Sequence, residues 1–287
     1  MKITLAEHFG MCFGVRDALK KTQELVATAP VTILGQLVHN PVVREDLQRR
    51  GVIEADLSAI GKSATRDVVI TAHGAAEKDR AAWKDAGFAV TDTTCPLVKK
   101  AHTALAQLVA GGCQPVIIGQ ASHVEVRGLA GDFPNAVILE NEADLEKLPL
   151  HSRYGIVSQT TQPSAHVRQL VGLVREKFPQ SEVIWRDTVC QPTKDRQAAM
   201  EKLCRENELI IVVGGNNSNN TRQLVETARS FGVQAHQIER AADIQPEWFH
   251  GVNFVGVTAG TSTLQQTVDQ VVETLRFITG EETRQAS

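Results

Sequence analysis

The chain predicts an α/β fold of three similar lobes with mostly parallel sheets in pseudo-threefold arrangement, and three observations carry that prediction. Short β-branched runs alternate with amphipathic stretches from one end to the other, the pattern of strands joined by helices rather than of a sandwich or a bundle. The runs are apolar throughout instead of alternating, as strands covered on both faces are. The residues best suited to chemistry recur at a nearly constant interval: Cys12 to His39 is 27 positions, Cys95 to His123 is 28 and Cys190 to Ser218 is 28.

Taken in order, Lys2 to Leu5 reads as a short strand with no neighbour of its own. After Cys12, the residues Val15, Ala18, Leu19, Thr22, Leu25 and Val26 fall at helical spacing; the run VTILGQL then leads into His39-Asn40-Pro41 and the run VVIT into His73-Gly74. A short strand from Phe88 to Thr91 precedes Cys95, and the order begins again. Val98, Ala101, Leu105, Leu108 and Val109 form a helical stripe, PVIIG leads into Ser122-His123-Val124-Glu125, YGIVS into Gln159-Thr160-Thr161, and Val183 to Trp185 precedes Cys190. In the third round LIIVV leads into Asn216 through Thr221, and NFVGV into Gly260-Thr261-Ser262-Thr263, followed by a helix from Leu264 to Thr279. The second polar loop of each round, at His73, Thr160 and Ser262, lies 61, 65 and 72 positions after its cysteine. The third round lacks a closing strand, which the leftover strand Lys2 to Leu5 would supply. The expected lobes are therefore residues 12–94, residues 95–189, and residues 190–280 completed by 1–11, with a tail of 281–287. Polar loops at the carboxyl ends of strands are where open α/β sheets bind ligands, so three cysteines and six loops are expected to share one centre.

Composition narrows the function. A chain of 287 residues with 42% apolar residues buries real cores, and a net charge of -3 with scattered Lys and Arg excludes a nucleic-acid partner. The start MKITLAEHFG has no apolar core of a signal peptide, and no run approaches the roughly 20 apolar residues of a membrane helix, so a cytoplasmic protein that does not engage a membrane is expected. In that reducing compartment five cysteines are not a disulfide framework.

Cys12, Cys95 and Cys190 each sit in a turn beside Gly or Pro just ahead of a helix, where the helix amino terminus favours the thiolate. Cys113 and Cys204 occupy no repeated position and read as small apolar core residues. Structural zinc normally takes four ligands in close pairs, and none occur here, although a site of one Cys and two His remains open. Four-iron clusters ordinarily take four cysteines, so three would leave one iron able to bind substrate, accept an electron pair and deliver electrons. The loops contain neither a P-loop nor a GxGxxG run, yet helix amino termini with imidazole and hydroxyl donors can hold a diphosphate without lysine. A single histidine is ordinarily structural; the shared location of His39, His73 and His123 after strands favours a ligand role. Glu125 is the one carboxylate in these loops, a proton donor if it lines a cleft and a surface residue otherwise.

Together the motifs resemble the 4-hydroxy-3-methylbut-2-enyl diphosphate reductase family over essentially the whole chain. The resemblance runs through Cys12-Phe13-Gly14-Val15, Val38-His39-Asn40-Pro41, Ala72-His73-Gly74, Thr94-Cys95-Pro96-Leu97-Val98, His123 with Glu125, Gln159-Thr160-Thr161, Cys190 with Arg196-Gln197, Asn217-Ser218-Asn219-Asn220 and Val257 through Ser262. It implies one 4Fe-4S iron-sulfur cluster on Cys12, Cys95 and Cys190 with one open iron, at the centre of the three lobes. It implies diphosphate contacts from His39, His73, His123, Ser218, Asn219, Asn220 and Ser262, with Thr160 and Glu125 at the substrate hydroxyl. The implied reaction is reductive dehydroxylation of the allylic diphosphate to isopentenyl and dimethylallyl diphosphates, with electrons from a ferredoxin or flavodoxin. The chain departs from the family in having Val124 where proline is usual between His and Glu, Ser218-Asn219 where a serine pair is usual, and a short tail after Gly280. A related cluster reductase for another allylic or aromatic diphosphate, or a cluster-based sensor that binds an anion without turnover, would share these features. Glu125 and Thr160 favour chemistry, because a sensor needs no proton donor.

Overall fold

In the computed structural model the described residues are 1–38, 40–216 and 218–279, and they form three four-stranded sheets in which every pairing is parallel. The chain runs β1 (Lys2–Leu5), α1 (Phe13–Val26), β2 (Val31–Leu34), α2 (Pro41–Arg49), β3 (Val52–Ala55), β4 (Asp67–Ile70), α3 (Glu77–Asp85) and β5 (Ala89–Asp92). It continues through α4 (Pro96–Ala110), β6 (Gln114–Ile118), α5 (Val124–Gly131), β7 (Val137–Leu139), β8 (Arg153–Ser158), α6 (Ser164–Lys177) and β9 (Glu182–Trp185). It closes with α7 (Gln191–Glu206), β10 (Leu209–Val213), α8 (Asn219–Ser230), β11 (Gln234–Ile238), β12 (Phe254–Ala259) and α9 (Gln265–Thr279).

The three sheets have one strand order. They read β3-β2-β4-β5, β7-β6-β8-β9 and β11-β10-β12-β1. The first strand of the chain is thus the last strand of the third sheet, with Lys2 opposite Phe254 and Leu5 opposite Val257. The outer strands β3, β7 and β11 were not among the strands expected from the sequence; they are short or carry polar residues, as in QAHQI, and so lack the apolar run that marks the inner strands.

The fold divides into two compact units: Met1–Val15 with Val38–Glu45 and the chain from Asp195 onward, and Arg16–Leu37 with Asp46–Lys194. In the first unit successive residues of β10 face opposite ways, as the pleat requires. Leu209, Ile211 and Val213 pack with Val268, Val271 and Leu275 of α9, while Ile210 and Val212 pack with Met200 and Leu203 of α7 and Leu224, Val225 and Ala228 of α8. Burying each such side chain contributes about 1.5 to 3 kcal/mol, which is why the strand is apolar at every position.

In the second unit Val116, Ile118, Tyr154 and Ile156 face Val167, Leu170, Val171 and Val174 of α6. Ile117 and Val157 face Ala101, Leu105 and Leu108 of α4 and Val126 and Leu129 of α5. The neighbouring sheet buries Leu34, Val68 and Ile70 with Trp83, whose indole N–H donates to the Leu57 carbonyl at 2.8 Å. Helix α5 is pinned against α3. Gly131 lies so close to Ala76 that an added methyl would stand 2.7 Å from the alanine Cβ. The carboxylate of Asp132, just past α5, accepts the Glu77 N–H at 2.8 Å and the Lys78 N–H at 3.3 Å, neutralising the positive end of α3. This fixes α5, whose first turn carries Glu125.

Candidate active site

Each of the three repeated cysteines directly precedes a helix. Cys12 stands before α1 and Cys190 before α7, while Cys95 caps α4 with Pro96 at its first position, where a missing N–H costs nothing. All three are half-buried, and none of the five cysteines is disulfide-bonded. Each turn is tethered to the loop that ends the third strand of a sheet. Cys95 N–H donates to the Ala72 carbonyl after β4 at 3.0 Å, Cys190 N–H to the Thr160 carbonyl after β8 at 2.9 Å, and Gly10 N–H, two residues before Cys12, to the Ala259 carbonyl at 3.0 Å. Cys113 and Cys204 instead lie buried among apolar side chains, and burial pushes the Cys204 thiol up to about 11. A thiol held protonated in a core is a poor metal ligand.

The second unit gathers the acid and two histidines. His73 precedes Gly74, which adopts φ +80 and packs its bare Cα against Thr94 and Val98, seating the histidine loop on the turn that carries Cys95. The rings of His73 and His123 meet edge to face with centroids 5.5 Å apart. His123 caps α5, its Nδ1 accepting the Glu125 N–H at 3.2 Å, which puts the proton of a neutral ring on Nε2 as a donor. Val124 occupies the first helical position, the place proline favours, so the departure from the family pattern leaves the helix start intact.

Glu125 is only 1% exposed. One carboxyl oxygen accepts the Thr160 N–H at 2.6 Å and the other the Thr160 hydroxyl at 2.9 Å. Burial dominates over those two bonds and raises the acid from 4.5 to about 7. The loop bearing Thr160 is held by Gln159, whose side-chain oxygen Oε1 accepts the Gln120 backbone N–H at 3.2 Å and the Gln162 side-chain amide at 3.0 Å.

The first unit gathers hydroxyls and amides. Ser218 caps α8 and accepts the Thr221 N–H at 3.3 Å; a hydroxyl that accepts there still has its own hydrogen to donate. Asn219 opens α8, and the Asn220 side-chain oxygen accepts the Thr261 N–H at 3.0 Å, joining the loop after β10 to the loop after β12. Asn40 donates to the Ser262 carbonyl at 3.0 Å and accepts the Val43 N–H at 3.3 Å, and Arg196 donates to the Gly10 carbonyl at 2.9 Å beside the Cys12 turn. Asn40 was not read from the sequence as a site residue; an asparagine just before a proline-led helix is the signal that could have found it. His39 lies outside the described residues. Among the described residues no three His, Cys, Asp or Glu side chains stand close enough to hold a single metal ion.

Parallel α/β lobes with thiols at helix starts, a buried carboxyl raised toward neutrality and polar loops after the strands are the features of an enzyme. The chain belongs to the LytB protein family, whose model matches residues 3–276. A 4-hydroxy-3-methylbut-2-enyl diphosphate reductase of Geobacter sp. is 36% identical over 281 residues, covering 97% of this chain and 98% of its own. That of Aquifex aeolicus is 35% identical over 282 residues, covering 96% of each chain. The solved reductase of Plasmodium falciparum superposes with a TM-score of 0.88 at 29% identity, over 96% of this chain and 87% of that one. A second solved reductase, described as the terminal enzyme of the non-mevalonate pathway, gives 0.71 at 35% identity over 96% of this chain and all of its own. The protein is an oxidoreductase of a family of iron-sulfur reductases. Among the described residues no helix is long and apolar enough to cross a membrane.

Proposed function

We propose that this enzyme reduces 4-hydroxy-3-methylbut-2-enyl diphosphate to isopentenyl and dimethylallyl diphosphates in the cytoplasm, with a ferredoxin or flavodoxin as electron donor. The supporting observation is the buried pair of Glu125 and Thr160. Reductive dehydroxylation takes up two electrons and two protons: the C–O bond breaks, the oxygen leaves as water, and the allylic carbon gains hydrogen. Hydroxide is a poor leaving group, so the oxygen must be protonated as the bond breaks, and an acid held at about 7 is half protonated at neutral pH. Thr160 hydrogen-bonds this carboxyl and orients it, and its hydroxyl can relay the proton to the substrate oxygen.

The donor set suits an iron-sulfur cluster. Cys12, Cys95 and Cys190 are the half-buried thiols at helix starts, whereas Cys113 and Cys204 sit in the core. Three thiolates on a 4Fe-4S cluster leave one open iron, which when bound supplies the electrons and a Lewis-acidic position for the allylic oxygen. Ser218, Asn219, Asn220 and Ser262 hold the diphosphate with His39, His73 and His123. The start of α8 adds its dipole.

Anaerobic purification with iron and sulfide analysis, followed by reduction of the substrate with dithionite and a viologen dye, tests the reading. An oxygen-labile cluster and both diphosphate products are expected. Fully loaded protein that leaves the allylic diphosphate unreduced overturns it.

A further inference from the structure

We propose that the Thr221 hydroxyl, fully buried at the start of α8, is a further hydrogen-bond donor of the diphosphate site, engaged when the anion binds. The inference rests on the substrate reading above and adds to it a group that neither the repeat nor the family resemblance singles out.

Thr221 is the third residue of α8, on the same first turn as Ser218 and Asn220. Its side chain is 0% exposed, and its Oγ1 has no hydrogen-bond partner among the described residues. The oxygen sits in a slot between Gly214, just after β10, and Gly260, just after β12; a methyl group added at either glycine would collide with it. The Thr263 hydroxyl nearby is already committed, donating to the Val213 carbonyl at 3.0 Å. Around the slot the backbone is satisfied: Gly260 N–H donates to Val213 at 2.9 Å, Gly214 N–H to Ile238 at 2.8 Å, and Thr261 N–H to Asn220 at 3.0 Å.

A buried hydroxyl without a partner forfeits the hydrogen bond it would make to water, and valine fills the same volume without that cost. Packing between the glycines therefore explains the shape of the side chain and leaves its oxygen unexplained. The two loops that carry Ser218 and Ser262 begin at the two glycines that wall the slot, and glycine lets backbone approach an anion closely. A diphosphate oxygen accepting from the start of α8 supplies the acceptor that the slot lacks. Thr221 is fully buried, so this contact requires a small adjustment around Gly214 and Gly260 when the anion binds.

The test measures binding of inorganic diphosphate and thermal stability on anaerobically purified, cluster-loaded protein. Thr221→Val should melt no lower than the parent yet bind diphosphate about tenfold more weakly, equivalent to about 1.4 kcal/mol. Thr221→Ser keeps the oxygen and should bind within about a factor of three of the parent. Parent-like binding by Thr221→Val overturns the inference, as does a lower melting temperature with unchanged affinity, which would make Thr221 a packing residue only. A parent protein that does not bind diphosphate overturns the substrate reading itself, and this inference with it.

Discussion

Replacing Glu125 with glutamine removes a proton and a potential charge while keeping size and hydrogen-bonding shape, and it has two separable consequences. The first is kinetic. A positioned acid contributes about 10² to 10⁴ in rate, so turnover should fall at least about a hundredfold with the cluster intact and substrate affinity largely kept. The second is a pH-dependent gain in stability. The carboxyl titrates at about 7 in the fold against an ordinary 4.5, so the folded state holds its proton more tightly than the unfolded state does. The fold then loses stability as pH rises from about 4.5 to about 7, and the loss is complete above the folded value. At about 1.4 kcal/mol per pH unit the full loss is about 3 kcal/mol. Glutamine does not titrate, so the variant should be more stable than the parent, by about 1.4 kcal/mol at pH 5.5 and about 3 kcal/mol at pH 8.5. Anaerobic urea unfolding at the two pH values, beside steady-state reduction at matched iron content, reads both effects. A stability difference that does not change with pH would refute the buried acid. Near-parent turnover would move proton donation elsewhere, to His123 or to the diphosphate of the substrate.

Single serine substitutions at Cys12, Cys95 or Cys190 should abolish the oxygen-labile cluster, whereas Cys113→Ser and Cys204→Ser should retain it; iron and sulfide content with electron paramagnetic resonance distinguishes them, and full occupancy in any of the first three removes the ligand assignment. Ser218→Ala should weaken substrate binding about tenfold to a hundredfold, since a hydrogen bond to a charged group contributes about 1.5 to 3 kcal/mol, and titration calorimetry reads it. Thr160→Val should slow turnover less than Glu125→Gln, because a hydroxyl orients or relays but is a weak acid. Gly131→Ala should destabilise by about 1 to 3 kcal/mol through the clash with Ala76, seen as a lower urea midpoint.

Much of this architecture is legible in the sequence alone. The inner strands are legible because parallel strands buried on both faces must be apolar at every position, as in Leu209–Val213. The repeated phase of Cys12, Cys95 and Cys190 is legible because each thiol must open a helix at the same point of its round. What stayed hidden depends on contacts distant in sequence. Glu125 and Thr160 could be assigned to one centre, but not the two bonds between them, 35 positions apart, nor the burial that holds the acid near neutrality. The cap that Asp132 places on α3 spans 55 positions and leaves no local pattern. Thr221 looks like any helical threonine until the glycines that enclose it are brought together by β10 and β12.

The borrowed strand of the third sheet also sets an order of biosynthesis. The sheets of β2 through β5 and of β6 through β9 each draw on one continuous stretch, so each can close soon after that stretch leaves the ribosome. The third cannot: β1 precedes the other two sheets in the chain, and its partner β12 follows them. The Cys12 turn, tethered through Gly10 to Ala259, is therefore held in place only once β12 has been made. A nascent or truncated chain that stops short of β12 presents Cys95 and Cys190 but no ordered Cys12. On the ligand assignment proposed above, a chain that stops short of β12 would therefore lack one ordered cluster ligand.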